Sequence, residues 1–251
     1  MIPLEPDRAP DTTVEDFAAF VRPTEGEEPP IIVGGHAVNL WSEYFLARHV
    51  QELLGFLPFT SKDLDLVGTV GLLDRLHATH QGKLSRSEPR SPVLGRLDIE
   101  REGGRLLRVE VLHSVKGLDA KDLARTMEVA VGQVVARVLM PHLVLKAKIE
   151  NSASIPQEGR NDVKHVHMMI LCLRAFIQEF AGYVVEGRAS DRALINLLEE
   201  TLAISTSRQA VKSSELWGFD FTEIWPNTAL ESTRNDKVTR WLQHRFPQRP
   251  A

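Results

Sequence analysis

The chain of 251 residues is 43% hydrophobic and 25% charged, and 30 Lys and Arg against 34 Asp and Glu leave a net charge of −4. Those proportions belong to a globular protein with enough chain for a real core, and they exclude a uniformly basic nucleic-acid coat. The single cysteine, Cys172, excludes an intramolecular disulfide and a cysteine-based zinc site, which fits a reducing, cytoplasmic compartment.

No apolar run approaches the ~20 residues of a membrane span, and the first residues lack the basic start and apolar block of a secretory leader. Val14, Phe17, Ala18 and Val21 recur at helical spacing, so a short N-terminal helix is expected ahead of a polar, Pro-rich connector over residues 22–30. Ile31-Ile32-Val33 then reads as a buried strand that ends at Gly34-Gly35. Ala37, Leu40, Trp41, Tyr44 and Phe45 follow the i, i+3, i+4 rule of an amphipathic helix, expected to run on to about Leu54.

Asp63 to Val67 alternates as a half-exposed strand does, and Val70 to His80 reads as a helix. Two alternating runs, Val93 to Glu100 and Arg105 to Leu112, form a hairpin around a turn at residues 101–104. Short strands continue through Met127–Leu139, and from Pro141 the chain turns helical, with a long apolar face from Val163 to Phe180 and another helix from Ala193 to Leu202. The expected architecture is α+β: a mixed sheet with flanking helices over residues 1–140, then a helical unit over 141–251.

Asp63 and Asp65, at i and i+2 on a strand, project to one face, and two anions held so close need a compensating cation. Hard divalent ions take such oxygen ligands and bridge to phosphates; an exposed edge strand carries the same pattern without any ion. Gly34-Gly35 joins a strand to a helix N-terminus, whose free N–H groups and dipole suit a phosphate. It equally serves a plain turn that needs positive φ. On the strand Arg105 to Leu112, Leu107, Val109 and Val111 share one face while Arg108 and Glu110 share the other. If that strand neighbours Asp63 to Val67, Glu110 completes a three-carboxylate metal cluster.

Ile31-Ile32-Val33-Gly34-Gly35, Lys62-Asp63-Leu64-Asp65-Leu66 and Val109-Glu110-Val111 resemble the motif series of the nucleotidyltransferase superfamily, the DNA polymerase β-like fold. The similarity extends to AbiEii-type nucleotidyltransferases, which include toxin components of bacterial toxin–antitoxin systems. The family's later helical Lys and helix-opening Asp match the order of Lys146-Ala147-Lys148 and Arg160-Asn161-Asp162. The resemblance covers roughly residues 31 to 180.

It implies Mg²⁺-dependent (or Mn²⁺-dependent) transfer of a nucleoside monophosphate from an NTP such as ATP to a hydroxyl acceptor. That acceptor is RNA, especially a tRNA 3′ end, a protein or a small molecule; a toxin would have an antitoxin protein as partner. Gly34 and Gly35 would hold the triphosphate, Asp63 and Asp65 the metal ions, and Glu110 the metal or the acceptor proton. Lys148 or Lys146 would neutralise phosphate; lying two apart on a helix, they face different sides and only one can do so. Lys62, Asp162 and Arg160 join the site in this reading. The interval from Gly35 to Asp63 exceeds the compact family pattern, which calls for an extended helix. The family Arg is missing behind the helical Lys, with Arg160 further on.

Arg160 and His165 also fit the R-x4-H pattern of HEPN-type ribonucleases, a different class of function; there Asp162 alternatively caps a helix while His165 packs beside it. A third class is an inactive nucleotide-binding module. His165 and His167 lie on different faces of one helix, and His77, His80, His113 and His142 show no ligand spacing, so all read as structural or surface residues. Trp217, Phe219, Phe221 and Trp225 either stack bases or anchor the tail on the core. Cys172 reads as a core residue, and the mildly basic stretch from Arg234 to Arg249 as an RNA contact or a solvated helix.

Overall fold

The computed structural model describes residues 11–21, 28–101 and 105–245. Most of the Pro-rich connector, the hairpin turn at 102–104 and the end of the basic C-terminal stretch lie outside them.

Seven strands form one mixed sheet: β1 (Ile31–Val33), β2 (Leu64–Val67), β3 (Lys83–Arg86), β4 (Val93–Arg101), β5 (Arg105–Leu112), β6 (Thr126–Val131) and β7 (Val134–Leu139). Their order is β3-β4-β5-β2-β1-β7-β6. β2 runs parallel to β5 and β1 parallel to β7, while every other neighbouring pair is antiparallel. The alternation of the sequence becomes the two faces of the sheet: Leu64, Leu66, Leu107, Val109 and Val111 are buried, and the residues between them face the other way.

Helices flank this sheet, as the α+β expectation requires. A 3-10 turn at Glu15–Phe17 leads into α1 (Ala18–Val21), α2 (Gly34–Leu46) follows β1 directly, and α3 (Val70–His80) follows β2. The short α4 (Ala120–Leu123) precedes β6. After β7 come α5 (Pro141–Ser154), α6 (Asp162–Val185), α7 (Asp191–Ser205), α8 (Arg208–Trp217), α9 (Asn227–Ser232) and α10 (Asp236–His244). α6 packs against α2 and α5, and one continuous apolar cluster links the sheet to these helices. Trp41 shows how: it is buried between Phe45 and Phe176 and donates its indole N–H to the Leu139 carbonyl at 2.9 Å.

Two expectations are corrected. α2 stops at Leu46 rather than near Leu54, because its buried face ends at Phe45 and His49 takes a left-handed φ of 71° among exposed residues. A 3-10 turn at Gln51–Phe56 and an extended run fill the interval to Asp63, so no lengthened helix is needed. Ser61 in that run forms a β-bridge with Thr12, tying the N-terminal segment down. Finally, α6 is long and apolar enough to cross a membrane by length and composition, although the sequence shows no such uninterrupted run. Its apolarity follows from its place as a core helix, with residues from Val166 to Ala181 buried against its neighbours.

The aromatic run anchors the tail: Phe219, Phe221 and Trp225 are buried, and the half-exposed Trp217 donates to the Ser152 carbonyl at 3.0 Å. Cys172 is fully buried, its thiol pushed up to about 12 by that burial. In α10, Val238 and Trp241 are buried, and Arg245 pairs with Glu199 at 2.8 Å, so this part of the basic stretch closes onto α7.

Candidate active site

Strand pairing brings the acids together. Parallel pairing sets Asp65 opposite Glu110, and antiparallel pairing sets Val33, the last residue of β1, opposite Asp65. Asp63 lies one residue before β2, on the same side as Asp65. One carboxylate oxygen from each of Asp63, Asp65 and Glu110 lies within 4.8 Å of the others. Three acids at that range resist ionising together. Burial, then the charges of Asp63 and Glu110, push the Asp65 carboxyl well above the usual range. Asp63 is raised by burial, and Glu110 by burial and by Asp63. A cluster of hard oxygens whose mutual repulsion a cation would relieve fits Mg²⁺ or Mn²⁺.

The glycines have a steric reason that spacing alone does not reveal. Gly34 adopts φ +65°, and a β-carbon there would fall 1.8 Å from Asp65 Oδ2. One on Gly35 would fall 2.2 Å from Ser61 Oγ. The start of α2 can therefore press against the acid cluster only if both positions are bare. No side chain caps this helix, so its first N–H groups keep their capacity for an anion. Gly35 lines the adjoining cleft; Gly34 lies against Asp65 instead.

That cleft, of about 150 Å³, is bounded by Gly35, Ser61, Asp63 and Asp65 on one side and by Lys148, Arg160 and His165 on the other. Lys62 also lines it and donates to the Gly159 carbonyl at 2.7 Å, holding the α5–α6 connection against the strand. Lys148 is buried at 6% exposure, its Nζ 2.9 Å from Asp162 Oδ1. Arg160 Nε donates to Asp162 Oδ2 at 2.7 Å. Burial acts to raise the Asp162 carboxyl, yet Lys148 and Arg160 outweigh it and hold the group down to about 2. Asp162 thus fixes two cations at the cleft wall. It does not cap α6: Asn161 holds the cap position, without a side-chain cap bond.

Lys146 is elsewhere. It points from the opposite side of α5 and pairs with Asp122 at 2.8 Å, in a second cleft that shares no lining residue with the first. The helical spacing separates the two lysines, and the fold puts Lys148 beside the acids. Glu110 closes the cluster from β5 rather than from the cleft wall, next to Arg108, which is itself held by Asp98 at 2.9 Å.

Arg160 and His165, paired in the ribonuclease reading, both line the carboxylate cleft. Arg160 is engaged by Asp162, and burial, reinforced by Lys148, holds the His165 imidazole neutral with its pKa well below the ordinary value. His167 on the next face packs against Phe56 and Phe219. Sequence reasoning missed Ser61, Gly159 and Asn161 as cleft residues and gave His165 either to the ribonuclease reading or to packing, not to this cleft. Only their adjacency to Lys62, Arg160 and Asp162 signalled them. It also passed over His36, fully buried beside Thr12 and lowered by burial to about 3.

The chain matches no family model and no curated protein sequence. Among solved structures it is similar to an antigenic nucleotidyltransferase-like protein from Paracoccidioides brasiliensis, at 19% identity and a TM-score of 0.38. The match covers 56% of this chain and 66% of that one, just under two thirds of its length. At that level the likeness carries no weight for activity, which rests on the residues themselves.

Proposed function

We propose that this chain is a divalent-metal-dependent nucleotidyltransferase that moves a nucleoside monophosphate from an NTP to a hydroxyl acceptor. One observation carries the reading: three carboxylates converge beside an uncapped helix N-terminus, and two of them, Asp63 and Asp65, border a cleft whose far wall holds buried and partly buried cations. Asp63, Asp65 and Glu110 would hold Mg²⁺ or Mn²⁺, which when bound supplies charge neutralisation for the phosphates and acidifies the attacking hydroxyl.

The protein's own part is positioning, as nucleotidyl transfer demands. Gly35 and the first N–H groups of α2 receive the triphosphate. Lys148, Arg160 and Lys62 balance its charge, and Asp162 keeps the first two in place. The acceptor oxygen attacks the α-phosphorus, forming a new P–O bond while the bond to the bridging oxygen breaks and pyrophosphate leaves. Glu110, from β5, would complete the metal site or, in its place, take the hydroxyl proton. The neutral His165 borders the cleft without adding charge.

The acceptor in this proposal is RNA, the tRNA 3′ end first, in keeping with the motif similarity to AbiEii-type enzymes; an antitoxin protein would then restrain the chain. Incubation with each α-labelled NTP and Mg²⁺, followed by mass analysis of total RNA and protein, tests both points. Label on RNA that disappears in Asp63→Asn and Asp65→Asn supports the reading. Label on protein moves the acceptor, and no mass gain on any acceptor overturns the transferase.

A further inference from the structure

The second cleft, on the other side of α5, is the larger of the two at about 300 Å³. Its floor is apolar, from Leu143, Ile149 and Ile204, and its walls carry both signs of charge. Most of that charge is spoken for: Lys146 is paired with Asp122 at 2.8 Å and Arg125 with Glu200 at 2.7 Å. Two polar groups are not. Glu150 makes no ion pair among the described residues. His142 lines the cavity at 0% exposure, and neither ring nitrogen has a hydrogen-bond partner; Nε2 lies 3.1 Å from Glu200 Oε2 without hydrogen-bond alignment.

Those ring nitrogens present no accessible surface to the cleft, so its occupant meets the imidazole only as part of an enclosing wall. Burial, then Arg125, lower His142 to about 4, so it is neutral near pH 7 and adds no charge to the cleft. The Glu150 stem is held in place by close packing: Gly117, at φ +80°, leaves a would-be β-carbon only 2.3 Å from Glu150 Cγ. The unpaired charge of the cleft is thus one carboxylate above an apolar floor.

We infer that this cleft binds a small organic amine: a single ammonium group against Glu150, with an apolar body on Leu143, Ile149 and Ile204. An anion would have to displace Asp122 or Glu200 from their partners, whereas an amine meets an unpaired acid. The size matches the lower end of small-molecule sites. Because the cleft shares no lining residue with the carboxylate site, the inference does not rest on nucleotidyl transfer.

Calorimetric titration of the full chain with phenethylamine, 2-phenylethanol and 3-phenylpropionate, without nucleotide, tests it. Phenethylamine should bind at least tenfold more tightly than the other two. Its affinity should fall at least tenfold in Glu150→Gln and stay unchanged in Asp63→Asn. Ala203→Phe, which fills the cleft from an exposed position, should abolish binding and guards against a folding defect in the first variant. Equal affinity for the three probes, binding undiminished in both cleft variants, or no binding at millimolar amine would overturn the assignment.

Discussion

α5 carries two lysines two residues apart, and the molecule treats them as different chemical objects. Lys148 is buried, forms one half of an enclosed pair with Asp162, and borders the acid cluster. Lys146 is about one-third exposed and pairs with Asp122 at nearly the same distance, 2.8 against 2.9 Å. Distance therefore does not separate them; the medium does. A charge pair near water is worth little because solvent screens it and competes for it. The same pair in an enclosed wall is strongly coupled, since losing either partner strands the other.

The sharpest way to break the contrast is at the acids that Lys148 faces. Asp65→Asn should lower label transfer on the order of 10³-fold, as loss of several kcal/mol of charge stabilisation implies. It should do so with the far-UV spectrum unchanged, while Asp122→Asn on the other face leaves transfer within about twofold of the parent. Equal losses from the two variants would erase the distinction between the faces. Gly34→Ala comes next. The added methyl meets Asp65 Oδ2, so we expect a loss of about 100-fold in transfer and about 1–3 kcal/mol in urea stability from the forced backbone.

Lys148→Met and Lys146→Met compare the lysines directly. Lys148→Met leaves Asp162 buried with Arg160 alone and should cost about 3 kcal/mol in chemical denaturation, together with a large fall in transfer. Lys146→Met should cost about 0.5 kcal/mol or less, with transfer preserved. A buried methionine that stabilises the fold would show that the Lys148 pair is held for function and not for stability.

The strands and their alternation were legible because period-two burial and short β-branched runs are local signals, whereas the meeting of Asp65 with Glu110 stayed conditional on β5 lying beside β2, which only the pairing decides. That the two lysines face apart also follows from helical geometry alone. What the sequence could not show is set by contacts across long intervals. The end of α2 depends on where Phe45 runs out of core to cover. The need for Gly34 depends on Asp65, which arrives from a different strand. His165 and Arg160 share the R-x4-H spacing with a ribonuclease pattern, and only the docking of α6 onto α2 and α5 shows that both border the carboxylates. Asp162 resembles a helix cap in sequence; the two cations that claim it come from α5 and from the connection before α6.

A pH-dependent effect of a few degrees links the acid cluster to protons. The carboxyls of Asp63, Asp65 and Glu110 are raised, so in the metal-free folded chain they take up protons at higher pH than when unfolded. These groups favour the folded state increasingly as pH falls from neutrality towards their ordinary range, and disfavour it above. A bound divalent ion needs them ionised and removes their repulsion, so its stabilising effect must run the other way. Millimolar Mg²⁺ should raise the melting temperature by a few degrees at pH 8, corresponding to about 1–2 kcal/mol of linkage. The increment should shrink steadily towards pH 5 and be absent at all pH values in Asp65→Asn. Lys146→Met should leave it untouched, because that residue lies on the face of α5 that never meets the ion. A rise in melting temperature independent of pH, or one surviving in Asp65→Asn, would place the cation outside the three carboxylates.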